Sequence, residues 1–219
     1  MEFGYTIAKS IIRLYKALFI RRVEVLGTEN ILPTPKVIVS NHAYISDSFV
    51  LPFIFKEKLH FLIQESVFRV PLIGFLLSHA DQLPVIPGRG RELLRKASQR
   101  LTQGDSIVIF PEGVLNHGKE ILPAKGGAAL LALTTGVPLQ PLGIYAPPEF
   151  TLEIHTRHKH HPSVSRWQLG GPIFVNIGEP VYIGSRGERP GIDPHSLINQ
   201  VMLRVEELAE ELKARWNSL

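Results

Sequence analysis

Cysteine is absent from this 219-residue chain. Its absence excludes disulfides, thiolate metal sites and a cysteine nucleophile, and it fits a reducing compartment. Long apolar runs are missing as well. The best candidates, 49–55 and 70–77, fall far short of the roughly 18 residues that a membrane-spanning helix needs. No Gly-x-Ser-x-Gly elbow occurs, so no activated serine is marked. A nucleic-acid-binding motif is lacking too, and no nucleic acid is expected as a partner. No small-residue cleavage site follows the first apolar stretch, which argues against a signal peptide. There is no repeat, low-complexity tract or long linker to divide the chain.

What is present is apolar and cationic. Hydrophobic residues make up 44% of the chain and the net charge is +4, with basic residues spread along it. That balance suits contact with something anionic, such as lipid headgroups, an acidic carrier protein or a phosphorylated substrate. The length supports one domain with a sizeable core.

Residues 1–20 read as an amphipathic helix in a leading segment, 1–22. Glu2, Thr6, Lys9, Arg13 and Lys16 recur at intervals of three and four and form one polar, mainly basic stripe. Phe3, Ile7, Ile11, Ile12, Leu14, Leu18 and Phe19 cover the rest. Such a helix fits the membrane interface, and it equally fits packing onto its own domain. The remainder, 23–219, reads as a single domain. Its β-branched runs at 37–40, 59–63, 106–110 and 139–145 predict buried strands, and 151–155 and 173–177 read as strands flanking a polar loop. The intervening segments 92–103 and 126–135 predict helices. This alternation predicts an α/β fold, a central, mostly parallel or mixed sheet flanked by helices, with functional groups at strand ends. The apolar segment 66–80 reads as a core helix or an element that dips into lipid. A closing helix starts at Asp193-Pro194 and carries Leu197, Val201, Val205, Leu208 and Leu212 on one face.

The strand 37–40 ends abruptly in Asn41-His42-Ala43-Tyr44-Ile45-Ser46-Asp47. On one continuous helix, residues five apart point away from each other at about 100° per residue. With His42 at the strand end and Asp47 in the first turn of the next helix, imidazole and carboxylate can meet. The aspartate then fixes the tautomer and leaves the other ring nitrogen as a base. Alone, the pair also fits an Asx-type turn with a capping aspartate. Downstream, Pro87-Gly88-Arg89-Gly90-Arg91 opens a helix, where main-chain N–H groups and arginine forks favour anions. Phe110-Pro111-Glu112-Gly113 leaves another strand with a carboxylate that can hold a hydroxyl, pair with an arginine or support His42. Val137 to Pro141 breaks an apolar run with two prolines and reads as architectural. The run from His155 to His161 reads as a basic loop, either solvated or touching anionic lipid, carrier protein or a nucleotide. A metal site there lacks carboxylates and supporting partners.

Taken in order, these four blocks resemble those of the glycerolipid acyltransferase family, whose best-known members are lysophosphatidate acyltransferases. The resemblance runs from about Val25 to Pro180. Asn41, His42 and Asp47 match the first block, Arg89 the second, Phe110 to Gly113 the third and the strand from Val137 the fourth. It implies acyl transfer from acyl-CoA or acyl carrier protein to a lysophospholipid-type hydroxyl, within phospholipid biosynthesis. His42 would be the general base, Asp47 its orienter and Asn41 a support. Arg89, Arg91, Glu112, Gly113 and Lys125 would form the acceptor and phosphate site. The thioester is a donor substrate, so no cofactor or metal is implied. Peripheral or monotopic attachment to the cytoplasmic side of a membrane is implied as well, and the oligomeric state is left open.

The chain departs from the family pattern in three places. Val114-Leu115-Asn116 stands where the family has Thr-Arg-Ser, Tyr44 where serine is common, and Gln64 where lysine is common. The second-position arginine of Thr-Arg-Ser helps hold the acceptor phosphate, and losing such a charge-assisted contact is worth roughly 1.5–3 kcal/mol. Two other readings fit these residues: a non-catalytic lipid- or acyl-carrier-binding module, and an acyl-thioester hydrolase.

Overall fold

A computed structural model describes residues 2–116, 122–158, 161–183 and 191–219. Helix α1 (Glu2–Phe19) runs straight into strand β1 (Ile20–Leu26). Strand β2 (Val37–Ser40) leads through the His42 turn into α2 (Asp47–Val50), a single turn that tightens over Leu51–Phe53, where Pro52 ends regular helix. Then follow β3 (Leu59–Gln64), α3 (Glu65–Phe68), α4 (Pro71–His79), β4 (Leu83–Val85), α5 (Gly90–Thr102) and β5 (Ser106–Ile109). The second half holds α6 (Gly127–Thr135), β6 (Leu139–Tyr145), β7 (Thr151–His158), β8 (His161–Gln168), β9 (Gly171–Ile177) and α7 (Pro194–Asn217).

Seven strands form one sheet in the order β1-β9-β6-β2-β5-β3-β4. Strands β6, β2, β5, β3 and β4 are mutually parallel, whereas β9 runs antiparallel to β6 and carries β1 parallel to itself. The sheet is thus mixed and mostly parallel, as the alternation of elements predicts. Period-two alternation divides the core. Val37, Val39, Ile107 and Ile109 face α5, α6 and α7, while Ile38, Val108, Leu142 and Ile144 face the layer that holds α2. Both faces are covered, so β2 and β5 read as unbroken apolar runs rather than alternating ones.

The closing helix forms as its sequence predicts. Asp193 caps it by accepting from the Ser196 N–H at 2.8 Å, and its apolar stripe from Leu197 to Leu212 is buried. Pro141 lies one residue before β6 begins to pair with β9 at Leu142, so its missing N–H interrupts little of the ladder.

Two expectations change. The segment 66–80 is not core: Pro71 splits it into α3 and α4, only Gly74 of α4 is buried, and Leu72 and Phe75 stand 72% and 61% exposed. The run from His155 to His161 is not a loop, because β7 and β8 pair antiparallel from Thr151–Gln168 to His158–His161 as a two-stranded ribbon apart from the main sheet. The repeated polar residues of that run carry no period-two hydrophobic signal, whereas the base of the ribbon packs Trp167 against Tyr15 and Phe49. Residues 159 and 160 of that run lie outside the described residues.

Candidate active site

Parallel strands bring their C-terminal ends to one edge of the sheet, and there β2, β5 and β3 deliver His42, Glu112 and Gln64. The junction after β2 is fixed first by Asn41. Its side-chain amide donates to the Ile144 carbonyl at 2.8 Å, and its carbonyl accepts from the Ile144 N–H at 2.8 Å. This reciprocal pair bolts the end of β2 to β6 in a buried setting, where either group left alone would be costly.

His42 follows with its ring stacked on Phe110, centroids 4.0 Å apart and planes 15° off parallel. Its Nδ1 lies 3.6 Å from Oδ2 of the fully buried Asp47. Nδ1 is itself buried and, among the described residues, has no hydrogen-bond partner. The side chain keeps 19% of its exposure. With Nδ1 enclosed, that exposure falls to the far edge of the ring, which carries Nε2.

Asp47 is held by the turn that it closes. Its Oδ2 accepts from the N–H groups of Ala43 at 2.8 Å and Tyr44 at 2.7 Å. The capping arrangement and the pairing with His42 therefore coexist in one carboxylate. Tyr44 is buried against it, and its phenol is pushed up to about 12, first by burial and then by the Asp47 charge.

Glu112 is buried, and its carboxylate is spent on the main chain. Oε1 accepts from the His42 N–H at 2.9 Å, Oε2 from the Leu122 N–H at 2.9 Å, and Asn116 Nδ2 reaches both oxygens at 3.2 and 3.0 Å. The Asn116 N–H in turn donates to the His42 carbonyl at 2.9 Å. Of the three roles open to Glu112 from sequence, this geometry realises support of His42.

Asn116 was legible only as a departure from a family pattern, yet it locks both main-chain groups of the histidine through one neighbour. Phe110 was visible as part of a motif, but its stacking on the imidazole was not.

Gly113 has φ of +72°, and a Cβ there would come within 2.6 Å of Lys125 Nζ. Glycine at this position lets the exposed lysine lie over the strand end. Gln64 Nε2 donates to the Gly113 carbonyl at 2.7 Å. Asn41, His42, Asp47, Glu112, Gly113 and Lys125 thus share one edge.

Arg89 and Arg91 stand apart at the start of α5, Arg89 at its N-cap and Arg91 in its first turn. Arg89 is 65% exposed, and its ion partner is Glu92 at 3.9 Å. The Glu92 carboxyl is held below its usual range, first by its hydrogen bond and charge interaction with Lys96 and less by Arg89. This helix start therefore carries charge of both signs. Among the described residues no cluster of three or more potential metal ligands occurs.

A family model described as Acyltransferase matches residues 22–145, which include every residue placed on this edge. The chain belongs to the acyltransferase family. A relative from Brassica napus, the chloroplastic 1-acyl-sn-glycerol-3-phosphate acyltransferase BAT2, is 30% identical over 174 residues, covering 76% of this chain and 47% of that protein. The lyso-ornithine lipid O-acyltransferase of Pseudomonas aeruginosa is 31% identical over 112 residues, covering 50% of this chain and 43% of that protein. The chain thus spans about half the length of these curated relatives. Among solved structures, the 1-acyl-sn-glycerophosphate acyltransferase PlsC from Thermotoga maritima superposes with a TM-score of 0.66 at 26% identity, over 89% of this chain and 73% of that one. Helix α1 precedes the matched region.

Proposed function

We propose that this acyltransferase-family chain moves a fatty acyl group from acyl-CoA or acyl carrier protein to the free hydroxyl of a lysophospholipid-type acceptor. The observation that carries the reading is His42, with Nδ1 turned to buried Asp47 and its Nε2 edge open at the strand-end site. Nε2 takes the acceptor hydroxyl proton as the oxygen attacks the thioester carbonyl carbon. The carbon–sulfur bond then breaks, and the imidazolium returns the proton to the leaving thiolate. Asp47 stabilises the imidazolium in between, as in the histidine–aspartate part of a triad. No cysteine and no serine elbow supply a protein nucleophile, so transfer is direct.

The acceptor site differs from that of a strict phosphate binder. Val114 and Leu115 are apolar where a charge would help, and Arg89 shares its site with Glu92. Among the described residues, Lys125 over Gly113 supplies a cation at the edge itself. Relatives named for a glycerol phosphate and for a lyso-ornithine lipid both align here. These names support a lyso-lipid hydroxyl as acceptor, and the headgroup is left to measurement.

Delivery of a lipid acceptor calls for a membrane surface. No helix among the described residues is long and apolar enough to cross a membrane. However, Ile7, Ile11, Leu14 and Leu18 recur along one face of α1 and are exposed, beside the exposed Leu72, Ile73 and Phe75 of the contacting α4. Lys9, Arg13 and Lys16 gather around the Phe53 ring at 5.1–5.9 Å. An exposed apolar stripe, on a helix whose opposite side carries cations, suits peripheral docking on lipid at the cytoplasmic face.

Purified protein incubated with acyl-CoA or acyl carrier protein and a panel of lyso-lipids tests the reading by lipid mass spectrometry. The expected product is a diacyl lipid with matching thiol release. Free fatty acid without acceptor would indicate a hydrolase, and no thioester consumption a binding module; either result overturns it.

A further inference from the structure

The catalytic turn is tied to α1 through one phenol. Tyr15 of α1 donates its O–H to the Gln168 carbonyl at 2.6 Å. The Gln168 N–H donates to the Ser46 hydroxyl oxygen at 3.1 Å, and Ser46, like Gln168, is fully buried. Ser46 directly precedes Asp47. It occupies the N-cap position of α2 yet makes no side-chain cap bond, because its oxygen is diverted to Gln168. One residue earlier, the Ile45 N–H donates to the Arg166 carbonyl at 3.0 Å, so the base of the β7–β8 ribbon clasps the turn twice.

The rings repeat the connection. Tyr15 meets Phe49 of α2 edge-on, centroids 5.2 Å apart, and lies 6.0 Å from Trp167, which is itself 6.0 Å from Phe49. At the end of α1, the Phe19 carbonyl accepts from the Gly170 N–H at 2.6 Å. The Tyr15 phenol is pushed up to about 12, mainly by burial, with Ser46 opposing and the Asp47 charge adding to the rise. It stays a neutral donor over the working range of pH.

At the other end of this chain of contacts, the base pair is slightly open. His42 Nδ1 and Asp47 Oδ1 are both buried without a hydrogen-bond partner among the described residues. The Nδ1–Oδ2 distance of 3.6 Å exceeds a hydrogen bond by a few tenths of an ångström. A small rotation of the turn 43–47 closes the Nδ1–Oδ2 distance and gives Nδ1 its partner, and that turn is held by Ser46. Tyr15 is the α1 side chain that joins this hydrogen-bonded path.

We propose that Tyr15 is a positioning residue that couples docking of α1 on a lipid surface to closure of the His42–Asp47 pair. The exposed face of α1 meets the bilayer, the inner face carries Tyr15, and the turn bearing Asp47 follows. The inference rests on the proposed function and adds to it that turnover depends on the surface even when the acceptor is soluble.

The test uses a short-chain, water-soluble lyso-lipid acceptor with acyl-CoA, with and without acceptor-free anionic vesicles. The full chain should gain about ten-fold in kcat on vesicles with KM unchanged, the effect of roughly one added hydrogen bond in the transition state. Tyr15→Phe keeps the ring and should still sediment with vesicles, but its ratio of rates with and without them should fall to about one. Ser46→Ala cuts the same path one bond later and should behave alike. Equal stimulation of Tyr15→Phe, or no stimulation of the parent, overturns the coupling while leaving acyl transfer intact. A Tyr15→Phe protein that no longer sediments makes Tyr15 a lipid-binding residue and also overturns it. No transfer by the parent in any condition overturns the proposed function and the coupling with it.

Discussion

Replacing Asp47 by asparagine separates the structural from the chemical role of this carboxylate. Both main-chain N–H groups that hold the turn end on the same oxygen, Oδ2, at 2.8 and 2.7 Å. Asparagine retains an acceptor at that position and places its NH2 where Oδ1 now has no partner among the described residues. Each bond changes from charge-assisted to neutral, a loss of about 1 kcal/mol, so stability should fall by roughly 2 kcal/mol and the fold should persist.

Chemistry suffers far more. At 3.6 Å, the carboxylate stabilises an imidazolium by roughly 4–5 kcal/mol at an effective dielectric near 20. Its loss slows transfer by about a thousand-fold. Thiol release from acyl-CoA measures the rate, and urea unfolding measures the stability. Turnover within ten-fold of the parent in a folded Asp47→Asn protein would refute the role given to Asp47. A loss of stability beyond about 4 kcal/mol would instead make the residue chiefly structural.

Asn41→Ala removes both partners of the Ile144 main chain and should destabilise the protein by about 2–4 kcal/mol, read as a lower urea midpoint with an unchanged slope. The Tyr44 phenol has a folded-state value raised from 10.0 to about 12, so its contribution is present below pH 10 and lost as pH rises toward 12. Alkaline denaturation of Tyr44→Phe should therefore be shallower across that window, and a curve parallel to the parent's would count against burial of the neutral phenol. Leu14→Glu with Leu18→Glu places two charges on the exposed face of α1, and sedimentation with anionic vesicles should drop at least ten-fold. Undiminished sedimentation would move the docking surface elsewhere.

Much of the fold is legible in the sequence because buried parallel strands concentrate β-branched residues. Val37–Ser40, Leu59–Gln64, Ser106–Ile109 and Leu139–Tyr145 stand out for that reason. The β7–β8 ribbon is legible only in part: Leu152 and Ile154 alternate with polar residues and mark the start of β7, whereas the polar run from His155 onward carries no such alternation. Helix α4 misleads for the opposite reason, being as apolar as a core helix while facing outward. At the site, the short local turn lets His42 and Asp47 meet, but the spacing alone also fits an Asx-type turn, and it is the order of the four blocks that points to the pair. The supports of His42 are contacts across the sheet edge. Asn116 reaches back to His42, two residues past β2, and Ser46 meets Gln168 from 122 residues away. Such pairings leave no mark in local sequence. The α1 stripe shows the same limit. Its cations are plain in the sequence, but their gathering around Phe53 follows only once α1 packs beside the turn after α2.

The central claim is that His42 is the base of an acyl transfer. A direct measurement compares the parent and His42→Ala for ester formation from radiolabelled acyl-CoA and a lyso-lipid, with circular dichroism and the melting profile as checks on the fold. Labelled diacyl product from the parent, and at least a hundred-fold less from a folded His42→Ala protein, is the predicted result. Product formation by the variant at a rate near the parent's would contradict it.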